Sequence, residues 1–176
     1  KSGREMHFYG EDVDWEKARK AHLTRWILEK NPALDLRVAG LLVQYSRIMA
    51  GQGLPVLFSV QHCAHRLKFS EKHLRWLAHN GVVFYRRFGI PKADGRLREI
   101  AAPQGRLLTA QRWIAKHILS RGKPHPAATA FQPGCSVLAN VQPHVGRKVV
   151  VRIDLKDFFP SITHRQARKV FESFGY

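Results

Sequence analysis

The chain has 176 residues, 44% of them hydrophobic, which is enough for one domain with a real core. Thirty Lys and Arg residues against 13 Asp and Glu give a formal net charge of +17. A charge this large indicates a phosphate backbone as partner, bound with strong salt dependence. A membrane surface is the alternative, but no apolar run approaches the ~20 residues that span a bilayer. The N-terminus shows no signal peptide, so we expect no membrane partner.

The cysteines and the chain ends bear on location and completeness. Cys63 and Cys135 do not form a disulfide framework, which favours a reducing cytoplasm. The first residue is Lys1 rather than Met, and Tyr176 follows two residues after an apolar, helix-like stretch. We therefore expect a portion of a longer protein.

Apolar residues at helical spacing predict that residues 1–55 form a helical N-terminal extension. Its two helices are expected over 14–30 and 34–50. Ser59 and Ser70 are suited to cap two further helices, the second of which ends at a glycine. Trp15, Trp26 and Trp76 occupy core positions of these helices, so burial is expected for all three rather than stacking on nucleic-acid bases.

The pattern changes from helical to extended at residue 82. A strand is expected over 82–90, an Asp-Gly turn over 91–95 and a returning strand over 96–100. Together they form a basic hairpin spanning 82–101. A long helix is expected over about 105–121, and loop-like residues follow it.

Three cations lie on or beside the hairpin turn: Lys92, Arg96 and Arg98. Residues 96 and 98 of an extended strand point to the same face. Two guanidinium groups and an ammonium group are suited to gripping a triphosphate. A solvated basic hairpin without a ligand is the alternative interpretation.

The β-branched run before Arg152 predicts a buried strand over 148–154 that carries Asp154 to the rim of a sheet. Asp157 lies just beyond the strand end. Carboxylates there could ligate Mg²⁺, although a strand followed by an acidic turn gives the same pattern. A short helix capped by Ser136 precedes this strand, and a helix over 166–174 follows it. The element order predicts an α+β fold.

Five segments carry a resemblance to a known family: residues 88–103, 108–119, 131–137, 140–144 and 154–162. Their order and spacing are similar to those of bacterial retron-type reverse transcriptases. The resemblance covers about residues 57–176. The sequence departs from the family pattern at Val141, where Ala is usual, and at Ala130, where Gly is usual.

The resemblance implies an RNA-directed DNA polymerase with a right-hand fold. Residues 56–147 would form a fingers-like region, and residues 148–176 would form the first strand and helix of an incomplete palm. The implied partners are a structured RNA template, the RNA/DNA hybrid and deoxynucleoside triphosphates. A retron effector protein is a further candidate partner. The cofactor would be Mg²⁺ in a two-metal site.

Site roles follow from position in the family motifs. Asp154 would be catalytic and would ligate both metals, with the backbone carbonyl of Leu155 completing one metal shell. Asp157 would lie under the triphosphate. Phe159 would occupy the space that a ribonucleotide 2′-OH needs, which selects deoxynucleotides. Lys92, Arg96 and Arg98 would bind the triphosphate, and the candidates for nucleic-acid contact are Arg112, Lys116, Asn140 and His144.

Two motifs of the family are missing from this sequence: the second palm motif and the Tyr-x-Asp-Asp turn. Two-metal phosphoryl transfer needs carboxylates from both strands. We therefore expect this chain to be inactive alone and to need the remaining palm and thumb polypeptide. The alternative function is a non-catalytic RNA- or DNA-binding module on a degenerate polymerase scaffold.

The His62-Cys63-Ala64-His65 stretch resembles half of a zinc site. No second Cys/His pair at zinc spacing follows it, so we interpret it as an amphipathic helix.

Overall fold

The computed structural model describes residues 20–130 and 132–176. The chain divides into two compact units, Lys1–Arg121 and Gly122–Tyr176. The predicted start of the first helix and Trp15 lie outside the described residues. No helix within these ranges combines the length and apolar composition needed to cross a membrane.

Helices α1 (Lys20–Lys30) and α2 (Leu36–Gly51) pack on each other at the start of the first unit. Their periodic apolar residues form one core cluster: Leu23, Trp26, Ile27, Ala39 and Val43. Asp35 caps α2 by accepting a hydrogen bond from the Arg37 backbone N–H. The two predicted helices are confirmed where they fall within the described residues, as is the burial of Trp26.

Helices α3 (Val60–Arg66) and α4 (Glu71–Asn80) begin at the predicted serine caps. Ser59 accepts from the backbone N–H of His62, and Ser70 accepts from that of His73. With α5 (Gly105–His117) they enclose a second core cluster of Leu67, Leu77 and Ala110. Burial of Trp76 was expected, but its side chain is 47% exposed, so that prediction is wrong.

Strands β1 (Tyr85–Pro91) and β2 (Leu97–Pro103) form an antiparallel hairpin. The predicted strand over 82–90 is wrong for its first three residues, because Gly81–Phe84 forms a 3₁₀ turn that extends the end of α4. The predicted helix over 105–121 ends earlier, at His117, and a second 3₁₀ turn follows at Leu119–Arg121.

The second unit contains three helices among its described residues: α6 (Val137–Val141), α7 (Phe158–Ser161) and α8 (His164–Phe174). Ser136 caps α6 as expected. Thr163 and Gln166 form a reciprocal capping box that starts α8 slightly before its predicted position. The sequence did not predict α7. Its Pro160 falls in the first turn, where a missing backbone N–H costs little.

The predicted buried strand over 148–154 is wrong for this chain. Residues 149–155 have no regular secondary structure, and Val149, Val151 and Ile153 are each more than three-quarters exposed. A strand requires a partner for its backbone groups, and β1 and β2 pair with each other within the part of the chain that the structure describes. The second unit also has no buried side chain among its described residues.

The first unit should depend on its α1–α2 core. Leu23 is fully buried, so Leu23→Ala should lower the free energy of unfolding by about 2–5 kcal/mol through lost burial and a residual cavity. Leu41→Ala is the matched control, because Leu41 lies on α2 and is 59% exposed; it should change stability by less than ~0.5 kcal/mol. Urea unfolding followed by circular dichroism measures both. Equal losses would contradict the assigned core.

His62 should make the first unit sensitive to acid. Burial, with Arg66 and His65 nearby, lowers the pKa of His62 from 6.5 to about 4. Between these values the unfolded chain binds more protons than the folded one, so stability should fall as the pH drops from about 6.5 towards 4. His62→Asn should flatten this pH dependence, whereas His65→Asn, at an exposed position of the same helix, should preserve most of it. Denaturant midpoints between pH 4 and pH 7 test this; an unchanged slope in His62→Asn would refute the assignment.

Candidate functional site

The turn between β1 and β2 is built by backbone hydrogen bonds around one glycine. The Lys92 N–H donates to the Arg96 carbonyl at 2.7 Å, and the Gly95 N–H donates to the Lys92 carbonyl at 3.0 Å. Gly95 has a φ of 78°, in the left-handed region where a side chain would be strained. The Asp-Gly signal in the sequence therefore marks a real tight turn.

Asp94 locks this turn through Arg96. Its carboxylate accepts the Arg96 backbone N–H at 3.0 Å and the guanidinium Nε and Nη2 at 2.9 and 2.6 Å. The hydrogen bonds from the Arg96 side chain and backbone lower the pKa of Asp94. Arg96 therefore lies in the turn, one residue before β2, with its guanidinium group already bound. Sequence reasoning treated Asp94 only as a turn former and missed this contact, which its position two residues before an arginine could have indicated.

Lys92 and Arg98 line a common concavity of about 450 Å³. Arg98 is opposite Ile90 in the strand register, and Ile90, Ile100 and the acidic residue Asp94 form part of the lining. Arg96 is not among the lining residues. The structure thus brings together two of the three predicted triphosphate cations.

The acidic side chain on β2 does not neutralise this pair of cations. Glu99 forms an ion pair with Arg87 at 2.8 Å. Successive side chains of a strand alternate between its two faces, so the Glu99 side chain lies on the face opposite to that of Arg98. Neither Lys92 nor Arg98 forms an ion pair with another residue in the described ranges. Their donors remain available to an anion.

The predicted acidic site lies in the second unit, on an exposed segment. Asp154 and Leu155 lie in the irregular stretch that precedes α7. Asp157 has a φ of 52°, a left-handed conformation that aspartate adopts more readily than most residues, and it begins α7. Phe158 and Phe159 contact each other edge to face at 5.3 Å, and Phe159 is 69% exposed. The segment presents carboxylates and a ring to solvent.

The oxygens in this segment have the chemistry that Mg²⁺ prefers, but they are too few. Asp154 and the Leu155 carbonyl would offer only part of a six-oxygen shell. In the described ranges no cluster of three or more His, Cys, Asp or Glu side chains could hold a metal. A complete metal site would therefore need ligands beyond those that the structure describes.

The four candidates for nucleic-acid contact fall into two pairs. Arg112 and Lys116 are exposed one turn apart on α5, in the first unit. Asn140 lies on α6 and accepts a hydrogen bond from the Thr129 hydroxyl at 3.2 Å, and His144 follows in a 3₁₀ turn. Each pair is exposed, and their nucleic-acid role stays a prediction.

The first unit also contains the helix predicted from the His62–His65 stretch. This segment forms α3, as expected. Burial raises the pKa of the Cys63 thiol, so the protonated, unreactive form is favoured at neutral pH.

Comparison with known proteins identifies relatives of this chain, although no family model matches it. It is 40% identical over 127 residues to the retron Mx162 reverse transcriptase of Myxococcus xanthus, which covers 70% of this chain and 26% of the relative. It is 37% identical to the retron Mx65 reverse transcriptase of the same organism over 73% of this chain and 31% of the relative. It is 33% identical to the retron Ec86 reverse transcriptase of Escherichia coli over 70% of this chain and 39% of the relative.

The matched region thus spans between about a quarter and two-fifths of the length of these relatives. Their shared name agrees with the family indicated by the sequence motifs. Over about 70% of its length, this chain belongs with the retron reverse transcriptases.

Proposed function

We propose that this chain is part of a retron-type RNA-directed DNA polymerase, supplying a fingers-like region and the first catalytic aspartate. The observation that carries the proposal is the 33–40% identity to retron reverse transcriptases. The exposed cation pair of the hairpin and the exposed Asp154 segment support it, since each presents the chemistry that nucleotide transfer requires.

The hairpin concavity is proposed to bind the triphosphate of an incoming deoxynucleotide. Lys92 would contribute a point charge, and Arg98 would contribute a planar donor pair that matches two phosphate oxygens. Both line the same concavity without an ion-pair partner among the described residues, and the Asp94 carboxylate that also lines it is already paired with Arg96. Arg96 would act through the turn, because its guanidinium group is held by Asp94.

Asp154 is proposed to ligate magnesium, with Leu155 offering its backbone carbonyl. Mg²⁺, when bound, would supply positive charge that stabilises the attacking and the leaving oxygens. Asp154 is exposed and forms no ion pair within the described ranges, so its carboxylate is available. The shell would be completed by residues of a palm and thumb polypeptide, in keeping with the lack of a three-ligand cluster among the described residues.

Phe159 is proposed to exclude ribonucleotides. Its ring is 69% exposed and stands two residues after Asp157, on the same acidic segment as Asp154. A rigid ring under the sugar would fill the volume that a 2′-OH needs. The neighbouring ring of Phe158 contacts it edge to face.

Asp154→Asn should abolish RNA-templated DNA synthesis by an enzyme that contains this chain together with its palm and thumb. Loss of a metal-ligating charge should cost several kcal/mol of transition-state stabilisation. RNA affinity should not weaken, because the carboxylate that is removed repels phosphates. Glu172→Gln removes an exposed charge of the same unit and is the matched control. If Asp154→Asn keeps more than about a tenth of the wild-type rate, a loss under ~1.4 kcal/mol, the metal role is wrong. If the wild-type enzyme binds RNA normally but makes no DNA, the non-catalytic binding module is favoured instead.

Arg98→Ala should raise the KM for deoxynucleotides or lower the incorporation rate, reducing kcat/KM about tenfold or more, since a hydrogen bond between charged groups contributes about 1.5–3 kcal/mol. Arg96→Ala should have a smaller effect, because Arg96 is bound by Asp94 and does not line the concavity. Nucleotide kinetics and RNA affinity at several salt concentrations measure both variants. A salt slope reduced by about one unit with normal nucleotide kinetics would instead assign Arg98 to the nucleic-acid backbone.

Phe159→Ala should admit ribonucleotides without greatly changing deoxynucleotide incorporation, because it removes the ring and leaves the carboxylates in place. Phe158→Ala is the matched control on the neighbouring ring. The measurement is the ratio of ribonucleotide to deoxynucleotide incorporation. Unchanged discrimination would show that Phe159 has a packing role instead.

A further inference from the structure

A row of four rings crosses the surface of the first unit: Phe69, His73, Trp76 and Phe84. Successive ring centroids are 5.8, 5.9 and 5.1 Å apart. Phe69 at one end packs on the second core cluster, as does Phe84 at the other. The row is therefore anchored at both ends, which holds the middle rings in fixed positions.

Trp76 is the exposed member of this row. Its indole meets Phe84 at an interplanar angle of 84°, an edge-to-face contact, and its side chain is still 47% exposed. The 3₁₀ turn that carries Phe84 adds Val82 and Val83, each 70% exposed. A large aromatic ring exposed beside other apolar side chains is a typical binding surface.

The charges around Trp76 are suited to phosphates. Lys72 lies one turn before it on α4, and His79 lies one turn after it; both are exposed. The only acid on α4, Glu71, forms an ion pair with Arg75 at 2.7 Å. Trp76 is thus flanked by cationic or polar groups, on a chain whose net charge is +17.

We propose that Trp76 is a stacking platform for an unpaired base of single-stranded nucleic acid, with Lys72 contacting the adjoining phosphate. A fixed aromatic ring beside a lysine is the combination that binds single strands, since every base has a face that can stack. Lysine is depleted in protein–protein interfaces relative to the rest of the surface, so Lys72 beside Trp76 favours nucleic acid over a protein partner. The proposal extends the proposed function but needs only nucleic-acid binding, with no catalysis.

The test uses this chain and labelled 20-nucleotide oligo(U), measured by fluorescence anisotropy at several salt concentrations. Trp76→Ala should weaken binding about tenfold, as removal of one stacking ring does, without changing the salt slope. Lys72→Ala should reduce that slope by about one unit. Leu41→Ala, which removes an exposed apolar side chain from α2, is the control and should bind normally.

Trp76→Tyr separates stacking from folding, because it retains an aromatic ring. Its affinity for oligo(U) should be within about twofold of that of wild type. Because the stacking tryptophan is gone, oligo(U) should quench much less of the remaining tryptophan fluorescence than it does in wild type. A duplex of equal length should be bound equally by wild type and Trp76→Ala, because its bases are already stacked. Undiminished oligo(U) affinity in Trp76→Ala would overturn the proposal and leave this surface to a protein partner. Failure of wild type to bind any nucleic acid would overturn both this inference and the proposed function.

Discussion

The main constraint on this chain is that an extended segment becomes a strand only when its backbone groups have a partner. β1 and β2 satisfy one another across a tight turn, so their paired backbone groups need no third strand. Residues 149–155 have strong strand preference but no partner among the described residues, and they remain irregular and exposed. The two units differ in a similar way, because the packing partners found in one are missing from the described part of the other. Among the described residues, the first has two core clusters, whereas the second has no buried side chain.

The sequence predictions succeeded for elements that form from local signals and failed for the strand that needs a distant partner. The helices and caps of the first unit were predictable because their signals are local, as Ser59 and Ser70 show. The hairpin was predictable from its Asp-Gly turn, except where the end of α4 tightened into a 3₁₀ turn. The strand ending at Asp154 was predicted from β-branched residues, which report a preference for burial but not whether a partner is present.

The candidate site was predictable in chemistry and less so in geometry. The sequence identified three hairpin cations, but only the structure shows that Arg96 is bound by Asp94 while Lys92 and Arg98 line one concavity. Helical periodicity placed Trp76 in the core, because it cannot distinguish a buried face from an apolar surface patch. The two sets of proposed catalytic residues lie in different units, so their cooperation is part of the proposal.

The central proposal is that the Asp154 segment, irregular in this chain, becomes one strand of a catalytic sheet when polypeptide outside this sequence pairs with it. Amide hydrogen exchange over residues 148–155 tests it most directly, comparing this chain alone with an enzyme that also contains the palm and thumb. The account predicts fast exchange in this chain and strong protection in the longer enzyme, because pairing would give these N–H groups acceptors. Equally fast exchange in both would contradict the claim and favour a binding module in which this segment has no strand partner.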